Sequence, residues 1–233
     1  MAVTAARAYL LVYNAAMCCG WAYILGRLLW TLATLPPALG PGYPHTPIYD
    51  AVSSALRVFQ TGAVAEVVHA ATGLVRTPAA TTALQVGSRL FLLWPILEGL
   101  LPVRGHPAVT TMVGAWAATE VPRYAFYAVG AAAGSAAVPR WLVWLRYTTF
   151  LPLYPLGAGS EVALILAALP VLARARGAYL SITMPNAWNV AFDFWTWCVF
   201  IVIMYVPGLP FMYMHMMRQR RKALGGGNKT KAA

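Results

Sequence analysis

Tyr154 and Glu161 are the residues of this chain best suited to moving protons. They stand seven apart in Tyr-Pro-Leu-Gly-Ala-Gly-Ser-Glu, inside a hydrophobic run over residues 145–172 that is long enough to cross a bilayer. A phenol and a carboxyl are general acid–base groups. An ionisable side chain at membrane depth costs about 2.5–3.5 kcal/mol on insertion scales, so it is read first as functional. The same run carries Arg146, Ser160, Pro152, Pro155, Gly157 and Gly159. Backbone broken at that depth is tolerated only where protein or a wet cavity covers it.

Seven residues are two helical turns, which places Tyr154 and Glu161 on one face of an unbroken helix with backbones about 10.5 Å apart. That is long for two groups acting on adjacent carbons. Pro155 disfavours helix at Tyr154, and Gly157 and Gly159 permit a turn, so a local break is expected to bring the side chains closer. A second reading stays open: a kinked helix whose Glu161 only pairs with an arginine on another span. Glu66, Gln85, Arg89, Glu120, Arg123 and Arg146 form a further polar set within apolar segments. Each needs a partner in hydrocarbon, and Arg89 with Glu66 or Glu120 is the natural pair. Gln85 and Arg89 are four apart and share a helix face.

The elements that must hold these groups are membrane spans. Of 233 residues, 60% are hydrophobic and only 10% charged, against roughly 25% charged in soluble domains. The expected architecture is an all-α polytopic bundle of about six transmembrane helices, near residues 8–32, 49–71, 82–101, 109–130, 145–172 and 190–213. One membrane domain over residues 1–217 is followed by a basic, flexible tail over 218–233. The first span is too long for a signal peptide and lacks a small-residue cleavage site. Residues 35–47, rich in Pro and Gly and free of Lys and Arg, read as a lumenal loop. Six spans put both termini on one side, and Arg218, Arg220, Arg221, Lys222, Lys229 and Lys231 make that side cytosolic. Arg174 and Arg176 dissent. Lys229 and Lys231 also resemble a cytosolic dilysine retrieval signal, and Asn228-Lys-Thr is the chain's sole glycosylation sequon.

Several function classes are disfavoured. The net charge of +11 is explained by the tail and an anionic leaflet, so nucleic acid is not expected as a partner. Cys18, Cys19 and Cys198 lie in apolar runs and build no disulfide framework, and the four histidines show no metal-ligand spacing. There is no G-x-G-x-x-G, Walker loop or G-x-S-x-G, and no cysteine has an arginine six residues on. The many Tyr and Trp residues read as an interfacial belt. A transporter is disfavoured by the lack of internal repeats. A non-catalytic membrane scaffold that binds protein partners remains the alternative to an enzyme.

Arg146-Tyr147, Leu153-Tyr-Pro-Leu-Gly157 and Ser160-Glu161, with Glu66, Gln85, Arg89 and Glu120-Val-Pro-Arg-Tyr-Ala-Phe-Tyr127, resemble the signature of the very-long-chain 3-hydroxyacyl-CoA dehydratases. These form the protein-tyrosine-phosphatase-like membrane family, whose plant members are called PASTICCINO-type. The resemblance implies an endoplasmic-reticulum protein with cytosolic termini that removes water from a (3R)-3-hydroxyacyl-CoA to give the trans-2-enoyl-CoA, the third step of fatty-acid elongation. It implies catalysis by Tyr154 and Glu161, support from Glu66, Gln85, Arg89, Arg146 and Gly157, no cofactor and no metal. Membrane lipid and other elongase subunits are the implied partners. Dehydration needs one group to take the proton beside the thioester carbonyl and one to protonate the departing hydroxyl. Glu161 as donor and Tyr154 as acceptor, aided by Arg146, is the expected order, and the residues alone leave it reversible. The CoA phosphates are expected to meet basic residues at the cytosolic rim.

Overall fold

The structure is a computed structural model that describes residues 4–35 and 46–225. Asn228, Lys229 and Lys231 lie outside the described residues, as does most of the predicted loop at 35–47.

Local chemistry sets the helix boundaries. Helix α1 (Ala5–Thr34) opens on Thr4, whose hydroxyl accepts from the Arg7 amide, and stops where Leu35 precedes Pro36. Helices α2 (Thr46–Gly62) and α3 (Val64–Ala71) replace the second predicted span, divided at Ala63. Helix α4 (Ala79–Phe91) starts after Pro78 and continues as a π-helical turn, Leu92–Glu98, around Pro95. Proline offers no amide hydrogen and crowds the carbonyl four residues back, and the wider turn accommodates it. The Tyr179 hydroxyl donates to the Pro95 carbonyl in this turn at 2.7 Å. Helix α5 (Ala108–Ala133) ends at Gly134, whose φ of +92° suits glycine.

Helices α6 (Arg140–Thr148) and α7 (Phe150–Arg174) meet at Thr149, which keeps helical angles. The break expected at Pro155, Gly157 and Gly159 does not occur: α7 runs unbroken through all three. Gly157 serves packing instead, since a Cβ there would stand 3.4 Å from the Ala115 Cβ of α5. Helix α8 (Phe194–Leu224) opens on Asp193, which accepts from the Thr196 amide at 3.3 Å. The boundary expected at residue 218 is no backbone break. Arg, Gln and Lys are good helix formers, so α8 carries the basic run through Lys222 and ends before Gly225.

The helical stretches coincide with the six predicted segments. Three of them, α1, the continuous α6–α7 rod and α8, are long and apolar enough to cross a membrane. Helix α5 lies centrally, packed on α1 on one side and α7 on the other, and α8 packs on α7. Trp21, Ile24, Tyr49, Leu92, Met112, Leu164 and Ile165 are fully buried between them. Helix α8 keeps Phe200, Ile203, Met204, Val206 and Phe211 exposed, a face matched to lipid.

Candidate active site

Glu161 is held from two sides. Trp116 on α5 donates its indole N–H to Glu161 Oε1 at 2.8 Å, and Tyr205 on α8 donates its hydroxyl to Oε2 at 2.6 Å. Both oxygens are thus met by neutral donors rather than by an arginine, so the reading of Glu161 as half of an ion pair fails. An indole N–H only donates, whereas a phenol hydroxyl can give or take the hydrogen. The two contacts therefore hold the carboxyl in place in either of its protonation states, with room on each oxygen for a further hydrogen bond.

Tyr154 is half-buried, its ring stacked on that of Tyr213 from α8 at 6.3 Å and 30°. No hydrogen bond joins Tyr154 to Glu161 among the described residues. With α7 unbroken, their backbones stay about 10.5 Å apart along the axis. Any convergence on a substrate must come from the side chains. Gly157, between the two in sequence, lets α5 approach α7 closely enough for Trp116 to reach Glu161.

The polar set forms a closed ion cluster beside this pair. Arg123 makes a bidentate contact to Glu66 at 2.7 and 2.8 Å and reaches Glu120 Oε2 at 2.5 Å. Arg89 donates to the other Glu120 oxygen, and Tyr124 donates to Glu66. Of the two partners expected for Arg89, the geometry selects Glu120, whose side chain is only 2% exposed. Two carboxylates and two guanidiniums give a neutral quartet, which removes the cost of an uncompensated charge among the helices. The quartet touches the Glu161 site at one point: the Arg89 guanidinium lies over the Trp116 ring, 5.4 Å from its centroid. Gln85 is exposed on α4 and makes no side-chain hydrogen bond with the described residues, so the structure does not bring it into the cluster.

Arg146 stands apart from the quartet. Its guanidinium is surrounded by the rings of Phe126, Tyr127 and Tyr147, and one nitrogen donates to the Tyr127 hydroxyl at 2.5 Å. Another polar cluster joins Glu98 to Arg104 at 2.8 Å, to Arg57 at 3.4 Å and to the Tyr49 hydroxyl at 2.7 Å, tying α2 to the turn after α4.

Sequence reasoning missed Trp116 and Tyr205 by merging them with the interfacial aromatics. Their mid-helix positions were the available signal, because a buried indole N–H or phenol hydroxyl needs an acceptor. The described residues contain no group of three or more His, Cys, Asp or Glu arranged to hold a metal.

Comparison with known proteins follows the same residues. The family described as "Protein tyrosine phosphatase-like protein, PTPLA" matches residues 60–226, which include every residue of the ion cluster and of the Glu161 site. A rice (Oryza sativa subsp. japonica) protein named very-long-chain (3R)-3-hydroxyacyl-CoA dehydratase PASTICCINO 2A is 44% identical over 97% of this chain and 96% of its own length. An Arabidopsis thaliana protein named very-long-chain (3R)-3-hydroxyacyl-CoA dehydratase PASTICCINO 2 is 43% identical over 94% of the chain and 93% of its length. The human protein named very-long-chain (3R)-3-hydroxyacyl-CoA dehydratase 2 is 38% identical, covering 94% and 82%. No solved structure matches significantly.

Proposed function

This chain belongs to the protein tyrosine phosphatase-like (PTPLA) family, and we propose that it dehydrates very-long-chain (3R)-3-hydroxyacyl-CoA to the trans-2-enoyl-CoA in fatty-acid elongation. The observation that carries the site assignment is the Glu161 carboxyl, met on both oxygens by neutral donors inside the helix packing. A carboxyl is ordinarily ionised and a phenol ordinarily protonated near neutral pH, which makes Glu161 the base and Tyr154 the acid in this reading, the reverse of the order expected from sequence.

In the proposed step Glu161 takes a proton from C2 of the acyl chain. The electron pair left on C2 forms the C2–C3 double bond, the C3–O bond breaks, and the Tyr154 hydroxyl protonates the departing oxygen, which leaves as water. Returning the proton from Glu161 to Tyr154 restores the enzyme. Metal and organic cofactor are not needed for this balance. The quartet of Glu66, Arg89, Glu120 and Arg123 supports the site by fixing α4 and α5, and Arg89 steadies Trp116 from above. Gly157 supports it through close packing.

The six helical segments then cross the endoplasmic-reticulum membrane as one catalytic bundle over residues 1–217, with both termini in the cytosol. The very long acyl chain lies among them in hydrocarbon, and other elongase subunits are its neighbours. Asn228 stays unglycosylated in that topology; a glycosidase-sensitive mass shift abolished by Asn228→Gln would overturn it.

The decisive assay uses purified protein and a (3R)-3-hydroxyacyl-CoA, followed by loss of one water in the product mass. A scaffold gives no turnover. The expected result is conversion of the 3R and not the 3S substrate.

A further inference from the structure

We infer that Arg146 and Arg220 together form a phosphate seat that holds the nucleotide end of the acyl-CoA. The inference rests on the dehydratase reading and assigns part of the substrate to named side chains.

The charge balance leads to this corner. The chain has six acidic residues. Glu66 and Glu120 are matched by Arg123 and Arg89, Glu98 by Arg57 and Arg104, and Asp193 by Arg176. Glu161 is held by Trp116 and Tyr205, and Asp50 is exposed on α2. No carboxylate among the described residues pairs with Arg146 or Arg220.

Both cations are nevertheless positioned. Arg146 is boxed by three aromatic rings, at 5.3, 4.6 and 5.6 Å from Phe126, Tyr127 and Tyr147. Its Nε is buried and has no hydrogen-bond partner among the described residues. Arg220 donates from Nε to the Thr148 hydroxyl at 3.4 Å, which brings a second guanidinium onto the turn of α6 that carries Arg146. Arg218, Arg221 and Lys222 flank it on α8. A guanidinium is a planar fork of donors suited to phosphate oxygens, and a desolvated one without an acid calls for an anion.

The distances suit this substrate. Arg146 lies eight residues before Tyr154 on the α6–α7 rod, about 12 Å along the axis. Arg220 lies seven residues beyond Tyr213, whose ring stacks on Tyr154, about 10.5 Å along α8. Both cations therefore stand on the same side of the phenol at comparable distances. A pantetheine arm, which separates a thioester from its phosphates, is of that order of length. The arm would run between α6–α7 and α8, with the phosphates at Arg146 and Arg220 and the thioester near Tyr154.

The test compares a 3-hydroxyacyl-CoA with the matching 3-hydroxyacyl-pantetheine thioester, which keeps the reacting carbons and lacks phosphate. Arg220→Gln, on a half-exposed stretch of α8, is the primary variant, with Arg220→Ala as the second. Losing a charge-assisted hydrogen bond should raise KM for the CoA thioester about tenfold or more, with kcat changed far less. On the pantetheine thioester the variants and the wild type should converge in kcat/KM. Free coenzyme A should raise the melting temperature of the wild type and not of Arg220→Gln. Equal losses on both substrates, or an unchanged KM for the CoA thioester, would overturn the seat. So would an effect of Arg220→Gln seen only in vesicles containing anionic lipid, because the seat would then hold a lipid headgroup. A wild type that turns over neither thioester refutes the dehydratase reading, while the melting shift by coenzyme A still reads the seat.

Discussion

Tyr205 on α8 donates its hydroxyl to Glu161 on α7 at 2.6 Å, across the contact between the two helices. With Trp116 on the other oxygen, this fixes the carboxyl in place and makes the packing of α5, α7 and α8 a condition of the chemistry.

Tyr205→Phe removes that donor and keeps the ring. A hydrogen bond to a charged group contributes about 1.5–3 kcal/mol, so kcat should fall about ten- to a hundredfold with KM little changed. Trp116→Phe should act in the same direction. Steady-state kinetics and melting in detergent are the measurements, with melting expected near wild type. Wild-type kcat in Tyr205→Phe would mean that the hydroxyl does not hold Glu161 for the reaction.

Arg123 should matter more for stability than Arg89. It neutralises Glu66 and one oxygen of Glu120, whereas Arg89 meets Glu120 alone. Breaking a buried pair typically costs about 3–5 kcal/mol because a charge is left behind. Arg123→Ala is therefore expected to melt below Arg89→Ala, and adding Glu120→Gln should recover part of the loss. Equal melting temperatures for the two single variants would show that the quartet does not share its charge as the geometry indicates.

The helices were legible in the sequence because apolar runs between Pro- and Gly-rich segments mark spans without any tertiary information. The pairing of Arg89 with a glutamate was also legible, since charge in hydrocarbon demands a partner. What the residues did not reveal depended on packing. Pro155, Gly157 and Gly159 signal a break locally, yet α7 runs unbroken through all three and Gly157 serves as a contact point with α5. Trp116 and Tyr205 were hidden by their type: nine tryptophans and twelve tyrosines make an interfacial belt the obvious reading. Only the register between α5, α7 and α8 shows which two face a carboxyl. Gln85 does share helix α4 with Arg89 at a spacing of four, but it is exposed there and makes no side-chain hydrogen bond with the described residues.

That use of Gly157 has its own test. An added methyl would press on the Ala115 Cβ at 3.4 Å, a tight but yielding contact, whereas a branched side chain would force α5 from α7. Gly157→Ala should cost little stability, and Gly157→Val about 1–3 kcal/mol with loss of turnover. Ala115→Gly should restore Gly157→Ala to wild-type behaviour. If Gly157→Val stayed active, the close approach of α5 and α7 would not be what brings Trp116 to Glu161.

The central claim is that Glu161 and Tyr154 carry the protons of the dehydration. Turnover of a (3R)-3-hydroxyacyl-CoA by purified Glu161→Gln and Tyr154→Phe measures it most directly, because both replacements nearly keep shape while removing the ionisable group. Each should lower kcat by about 10²- to 10⁴-fold, the range of general acid–base groups, with melting close to wild type. Near-wild-type kcat in either variant, with the protein folded, would contradict the role assigned to that residue.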